Sequence, residues 1–256
     1  MLVDTHCHLT DQQFANDLDA VLGRAREAGV ERILTLGTDV HSSRAAIQLA
    51  EKYESFGVFA AVGIHPESVR KARDSDLDAL RECAHHPRVV AIGEIGLDYY
   101  WDRTTIDLQQ AWFERQLALA AELGLPVSIH DREAHDKIFD TLQKTGNMGV
   151  RGVLHSFSGD VTLARKAVHL GFKISFAGPL TFSNAKQPPT VAQAIGIENI
   201  LIETDSPYLS PQPLRGKRNE PMNVGYVAKR LAELKAMDIE ELCRLISQTS
   251  SALLHW

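Results

Sequence analysis

Eight short apolar, β-branched runs recur along this chain, each followed by a longer amphipathic stretch, and no other feature constrains the fold so tightly. The runs, read as strands, are Leu2–Thr5, Arg32–Leu36, Val58–Val62, Val89–Gly93, Val127–His130, Gly152–His155, Lys173–Ala177 and Ile200–Glu203. Most are apolar on consecutive residues and do not alternate, the pattern of parallel strands buried on both faces. Between them apolar residues return at helical spacing. Leu18, Val21, Leu22 and Ala25 share one face of a helix over Asp17–Ala28. Ser42–Tyr53, Asp76–Ala84, Asp107–Leu123, Ala134–Thr145 and Val161–Leu170 behave alike, with a weaker seventh helix around Thr190–Ile195. Asn223–Lys235 follows the eighth strand, and Asp238–Ser247 adds a C-terminal helix. Gly29, Gly124 and Gly171 stand just before a strand, where a left-handed helix cap calls for glycine.

Strand–helix alternation repeated eight times in 256 residues is the arithmetic of a (β/α)8 TIM barrel of the α/β class. The rival, an open doubly wound sheet, usually has fewer strands, and no GxGxxG phosphate loop follows the first strand. No composition break or Pro/Gly/Ser linker divides the chain, so residues 1–256 are expected to form a single domain. Ser206–Pro221 reads as a long loop after the eighth strand.

The chain is 44% hydrophobic and 23% charged, an ordinary globular balance. Its 27 basic against 33 acidic residues give a formal charge of −6 and exclude a protein coated in positive charge. They do not exclude an enzyme that meets nucleic acid at one face, where metals and a local basic patch offset the net charge. Three cysteines, Cys7, Cys83 and Cys243, are too few and too scattered for a disulfide framework. With an opening MLVDTHCHLT that lacks a secretory pattern, they predict a cytoplasmic protein. No run approaches the roughly 18 apolar residues of a membrane span.

The eleven histidines matter by position. In a barrel the C-terminal ends of the strands carry the chemistry. Strand one ends in Asp4-Thr5-His6-Cys7-His8, and residues two apart on an extended segment point the same way. Strand three runs into His65, strand four into Glu94, strand five into His130, strand six into His155, and strand eight into Glu203 and Asp205. A single strand-end histidine is usually a hydrogen-bonded surface residue. His41, His85, His86, His135, His169 and His255, in helices or loops, are read that way. Convergence from six strands onto one rim is best explained by divalent metal, the simplest reason to gather neutral imidazoles with carboxylates. His6, His8, Glu94, His130, His155 and Asp205 are more ligands than one catalytic zinc uses, and a central carboxylate such as Glu94 can bridge two ions.

These residues resemble those of the amidohydrolase superfamily, and more closely the TatD family of metal-dependent deoxyribonucleases. The resemblance rests on Val3-Asp4-Thr5-His6-Cys7-His8-Leu9, Gly63-Ile64-His65-Pro66, Gly93-Glu94-Ile95-Gly96-Leu97-Asp98-Tyr99-Tyr100 and Pro126-Val127-Ser128-Ile129-His130-Asp131-Arg132. It continues through His155-Ser156-Phe157-Ser158-Gly159, Glu203-Thr204-Asp205-Ser206-Pro207-Tyr208 and Arg215-Gly216-Lys217-Arg218-Asn219-Glu220-Pro221. It implies a (β/α)8 hydrolase holding two divalent ions (Zn, Mg, Mn, Ni or Co): one on His6, His8 and Asp205, the other on His130 and His155, with Glu94 between. Many amidohydrolases use a carboxylated lysine as the bridge; no lysine lies between Lys71 and Lys137, so Glu94 takes that place. Thr10 departs from the family's usual Asp or Asn, and Asp131 adds negative charge near the expected phosphate position.

The leading expectation is hydrolysis of DNA phosphodiesters, at single-stranded or 3′ ends, by a monomeric enzyme. Asp205 would accept the proton of the attacking water, and Glu94 would serve both ions. His65, Arg132 and Arg215, with Lys217 and Arg218, are expected to contact phosphate, and Glu203 to orient a histidine or an arginine. The cations of residues 215–218 read equally well as a solvated loop. Tyr99, Tyr100 and Trp101 fit either a base stack or packing beneath the loop. Two alternatives stand beside this: an ester or C–N hydrolase such as a D-aminoacyl-tRNA deacylase, and a non-catalytic barrel with structural metals.

Overall fold

The computed structural model describes residues 1–101 and 103–256 and turns each apolar run into a strand. In order these are β1 (Leu2–Cys7), β2 (Val30–Leu36), β3 (Val58–Val62), β4 (Val89–Asp98), β5 (Val127–Arg132), β6 (Gly152–Leu154), β7 (Phe172–Phe176) and β8 (Ile200–Ile202). All pair in parallel with their sequence neighbours, in the order β1 to β8. A parallel bridge between Cys7 and Ser206 brings the chain after β8 back to β1. Beside it Asp205 N donates to His6 O at 2.9 Å and His8 N to Ser206 O at 2.7 Å. The sheet is therefore a nearly closed (β/α)8 barrel, the architecture the alternation predicts.

Helices α1 (Leu18–Glu27), α2 (Val40–Lys52), α3 (Asp74–Ala84), α4 (Ile106–Leu123), α5 (His135–Lys144), α6 (Val161–His169) and α7 (Gln187–Ala194) fill the connections. Helices α8 (Val224–Lys235) and α9 (Ile239–Leu254) complete the chain. Their starts follow from side-chain caps: Asp39, Asp160 and Asp238 each accept a backbone N–H of the first turn of α2, α6 and α9. Strand residues such as Val3, Ile33, Ala60, Ile92, Ile129, Leu154, Ile174 and Leu201 are buried, as strands covered on both faces must be. No helix among the described residues is long and apolar enough to cross a membrane.

Some boundaries differ from the sequence reading, and the difference in β4 has a local cause. It continues past Gly93 to Asp98. Gly96 sits at φ +140°, where a Cβ would lie 2.0 Å from His130 O. The glycine marks a close approach of two strands, not a strand end. Likewise β5 runs on to Arg132, α7 begins at Gln187, ahead of Thr190, and α9 extends to Leu254, beyond Ser247.

Two register shifts decide what the rim presents. From Asp4 to Cys7 β1 advances three residues while β2 advances two, from Ile33 to Thr35. From Ile92 to Ile95 β4 does the same against Val127 to Ile129 of β5. Each shift inserts an extra residue, a bulge that twists the strand and re-aims its side chains. One contains His6 and the other Glu94.

Candidate metal centre

Glu94 is buried at 3% exposure, and its two oxygens face different histidines. Oε2 lies 3.4 Å from His6 Nε2 and 3.4 Å from His8 Nε2. Oε1 is 2.8 Å from His130 Nδ1, 2.9 Å from His155 Nε2 and 3.4 Å from His65 Nε2. Asp205 joins the first group, with Oδ1 3.4 Å from His8 Nε2 and 3.7 Å from His6 Nε2. All six residues expected as ligands thus meet around one carboxylate. His41, His85, His86, His135, His169 and His255 lie on loops, helices or helix ends at intermediate or full exposure, as the sequence reading expects.

A layer of partners behind these groups fixes the rings. Ser128 Oγ is 3.2 Å from His6 Nδ1, and Glu203 Oε1 is 3.3 Å from His155 Nδ1 while accepting Ser156 N–H at 2.6 Å. Asp98 Oδ2 bonds His130 Nε2 at 2.9 Å, and its Oδ1 accepts the N–H groups of Tyr100 and Trp101. Such carboxylate–imidazole pairs orient a ring and set its tautomer. Asp4, buried and pushed up to about 8 by that burial, takes Thr204 N–H at 2.8 Å and Thr204 O–H at 2.6 Å, fastening β1 beside the segment that carries Asp205.

The sequence reading finds Glu203 but misses Asp98, Ser128 and Asp4 as supports. Asp98 had a usable signal, since Glu94, Gly96 and Asp98 alternate along a strand that the reading stops at Gly93. His65 sits against the cluster in a different role. Its Nδ1 accepts the Glu67 N–H at 3.2 Å, so the neutral ring carries its proton on Nε2 and presents a donor.

Charge in the centre is tightly coupled. Burial would raise the Glu94 carboxyl, yet His65, His155, His6 and the bond from His130 hold it well below the usual carboxylate range. Burial would lower His130, but Asp98 and Glu94 push it up to about 9. His155 is raised in the same way by Glu94 and Glu203 against its own desolvation. His6 is lowered, first by burial and then by His155. The carboxylates therefore demand positive charge, and protons supply it when nothing else does.

The donor set also has the spacing of a metal shell. Four atoms in a tetrahedron with bonds near 2.0–2.2 Å stand about 3.3–3.6 Å apart. His6 Nε2 and His8 Nε2 are 3.3 Å apart, and their distances to Glu94 Oε2 and Asp205 Oδ1 are 3.4, 3.4, 3.7 and 3.4 Å. These lengths are at or beyond the long end of hydrogen bonds but suit a shared cation. His130 Nδ1 and His155 Nε2, 3.3 Å apart on Glu94 Oε1, form the second group. The residues fit divalent metal.

Around the mouth the expected cations separate into two kinds. Arg132 is exposed and lies over the rings of Tyr100 and Trp101, at 4.0 and 5.3 Å. Arg215 lies over Phe182 at 4.5 Å. Arg218 does not serve as a free phosphate contact: its guanidinium is bonded to Asp17 at 2.8 and 2.7 Å and to Glu220 at 2.8 Å. Tyr99 is half-buried against the core, leaving Tyr100 and Trp101 as the exposed pair.

Known proteins resemble this chain in sequence and fold. YabD of Bacillus subtilis, named an uncharacterized metal-dependent hydrolase, is 42% identical over 253 residues, covering 99% of this chain and 98% of its own. The crystal structure of YjjV, a TatD homolog from Escherichia coli, superposes with a TM-score of 0.94 at 32% identity, covering 100% of this chain and 98% of that one. A TatD family hydrolase from Entamoeba histolytica shares the fold, with a TM-score of 0.87 at 24% identity over 99% of this chain and 97% of its own. The family described as TatD related DNase matches residues 3–255. With a barrel rim that fits divalent cations and such similarity over nearly its whole length, the chain belongs to the TatD family of metal-dependent hydrolases.

Proposed function

We propose that this hydrolase cleaves the phosphodiester bonds of DNA. The observation that carries the reading is a buried acid–imidazole cage whose mouth bears cations with no acidic partner among the described residues. Arg132, Arg215 and Lys217 are all exposed there, in a chain whose net charge is −6. A substrate with repeated negative charge accounts for them. The family description points the same way.

In this reading His6, His8 and Asp205 hold one divalent ion, His130 and His155 hold another, and Glu94 lies between. Imidazole-rich sites suit Zn, Ni or Co, and phosphate oxygens add Mg or Mn to the candidates. Bound there, two such ions lower the pKa of water and neutralise phosphoryl oxygens. The protein's part follows from its own groups. Asp205 is held below the usual carboxylate range by the bond to His8 and the charges of His6 and His155, against its burial. It is therefore ionised and accepts the proton of the attacking water. His65 Nε2–H donates to a non-bridging phosphoryl oxygen, where charge grows in the transition state. Arg132 and Arg215 hold the flanking chain.

The test uses the full-length enzyme stripped of metal and reloaded with Mn2+ or Zn2+. Single-stranded DNA should shorten from an end, and Asp205→Asn should lose roughly 10²–10⁴-fold in turnover. Intact DNA together with hydrolysis of aminoacyl-tRNA would replace this reading with the ester hydrolase. No turnover on either substrate would leave a binding protein.

A further inference from the structure

A cavity of about 430 Å³ opens at the end of the barrel opposite the metal centre, among Arg151, Lys173, Glu198, Thr249, Ala252 and Leu253. Arg151 immediately precedes β6, Lys173 is the second residue of β7, and Glu198 stands just ahead of β8. All three therefore sit where their strands begin, whereas the metal centre lies where strands end. The last turns of α9 close the remaining side with Thr249, Ala252 and Leu253. At roughly 3.3 Å per strand residue, about 13 Å of chain separates Arg151 from His155 at the rim.

The two cations of this floor are bonded to neutral atoms. Arg151 donates Nη2–H to His255 Nε2 at 2.6 Å. A guanidinium cannot accept, so that nitrogen is the acceptor and brings no counter-charge. Lys173 Nζ donates to Glu198 O and to Asn199 Oδ1, each at 3.0 Å, which occupies two of its three N–H groups. The Glu198 carboxylate instead accepts from Asn199 Nδ2 at 3.1 Å. Burial pushes the Lys173 ammonium down against the attraction of Glu198, as expected of a cation that is desolvated without being neutralised. Two cations and one carboxylate leave one positive charge on the cavity wall, in a chain whose net charge is −6. The wall is also preformed. Lys173 is tied to the β8 approach, Arg151 is oriented by His255, and Leu253 is buried at 4% exposure, so little is left to order on binding.

We propose that this cavity is a ligand site for a small organic anion, held by a carboxylate or phosphate group on Arg151 and Lys173. The oxyanion supplies the negative charge that the wall lacks and accepts charge-assisted hydrogen bonds from both cations. The carbon skeleton lies against Ala252 and Leu253. Bound at the floor, such a ligand leaves the rim open and binds together with substrate instead of in competition. The site stands whichever bond the rim cleaves.

The test is a heteronuclear NMR titration of the full-length chain loaded with Mg2+. The probes are methyl phosphate and succinate, with uncharged succinamide as control. The amides of Thr249 and Ala252 should shift saturably with at least one anion and not with succinamide. Saturation by methyl phosphate alone identifies a phosphate ester, and saturation by succinate alone a carboxylate; either supports the site. R151Q should weaken binding about 10–100-fold, the loss of one hydrogen bond between charged groups. E198Q, which removes the like charge from the wall, should tighten it about threefold. A252F fills the cavity without touching a charge and should abolish binding. The last two variants leave both cations in place and keep the proposal testable should R151Q fail to fold. A response that never saturates, shifts confined to Ser156 and Asp205 at the rim, or equal shifts with succinamide overturn the site. So does binding that survives A252F or weakens in E198Q.

Discussion

Gly96→Ala tests whether the approach of β4 to β5 is what sets the centre. The new Cβ would stand 2.0 Å from His130 O, where a carbon–oxygen contact needs about 3.3 Å. The strands must therefore part by more than an ångström, and the alanine must also hold φ +140°. The strained backbone costs about 1–3 kcal/mol. With the lost packing the total is roughly 2–5 kcal/mol. At about 2–4 °C per kcal/mol for a chain of this size, the thermal midpoint should drop by roughly 4–20 °C. The chemistry should suffer more. His130 Nδ1 sits 2.8 Å from Glu94 and its Nε2 2.9 Å from Asp98, and a displacement of that order costs about 100-fold in kcat/KM. The assays are differential scanning calorimetry and steady-state turnover of a small diester. Gly225→Ala in α8 is the control, because its Cβ would meet only Leu2 Cδ1, at 3.8 Å; it should gain up to about 1 kcal/mol. A Gly96→Ala protein that melts and turns over like the wild type would refute the reasoning.

Asp98→Asn should weaken metal binding about 10–100-fold with the fold retained. The amide can still accept from Tyr100 and Trp101 but places a donor against His130 Nε2. Metal titration by calorimetry checks it, and an unchanged Kd would remove Asp98 from the centre's support. Metal uptake at pH 7 should release protons, because ligands must be neutral imidazoles and His130 lies at about 9 in the metal-free centre. An indicator dye in weak buffer reads the release, and none would contradict the charge balance described here. The sign for stability runs oppositely. In the chelated chain, the raised His130 contributes stability that is complete below 6.5 and lost as pH rises through about 9. The thermal midpoint in chelator should therefore fall across that window.

The barrel was legible because consecutive apolar residues and helical spacing survive in one dimension. So was the gathering of the candidate ligands, because strand ends in this architecture share a rim. What escaped was whatever depends on register. The bulges holding His6 and Glu94 leave no trace in residue pattern, and the fourth strand, read as ending at Gly93, continues to Asp98. Asp98 was lost because the fourth strand was ended five residues too early. The cations of residues 215–218 could not be sorted in sequence, because Arg218 finds Asp17 about two hundred positions away. Charge compensation at such separations is settled only by folding.

The seam where β8 meets β1 has a consequence for when the protein becomes chemically competent. Asp205 hangs its backbone on His6, and Thr204 is tied to Asp4 across a separation of 200 residues. The earliest and latest candidate ligands of the cage are thus neighbours only after the ring has shut. A nascent or truncated polypeptide, however much of its helix content had formed, would carry His6 and His8 without their counterpart. The cage of imidazoles and carboxylates is complete only when the eighth strand has joined the first.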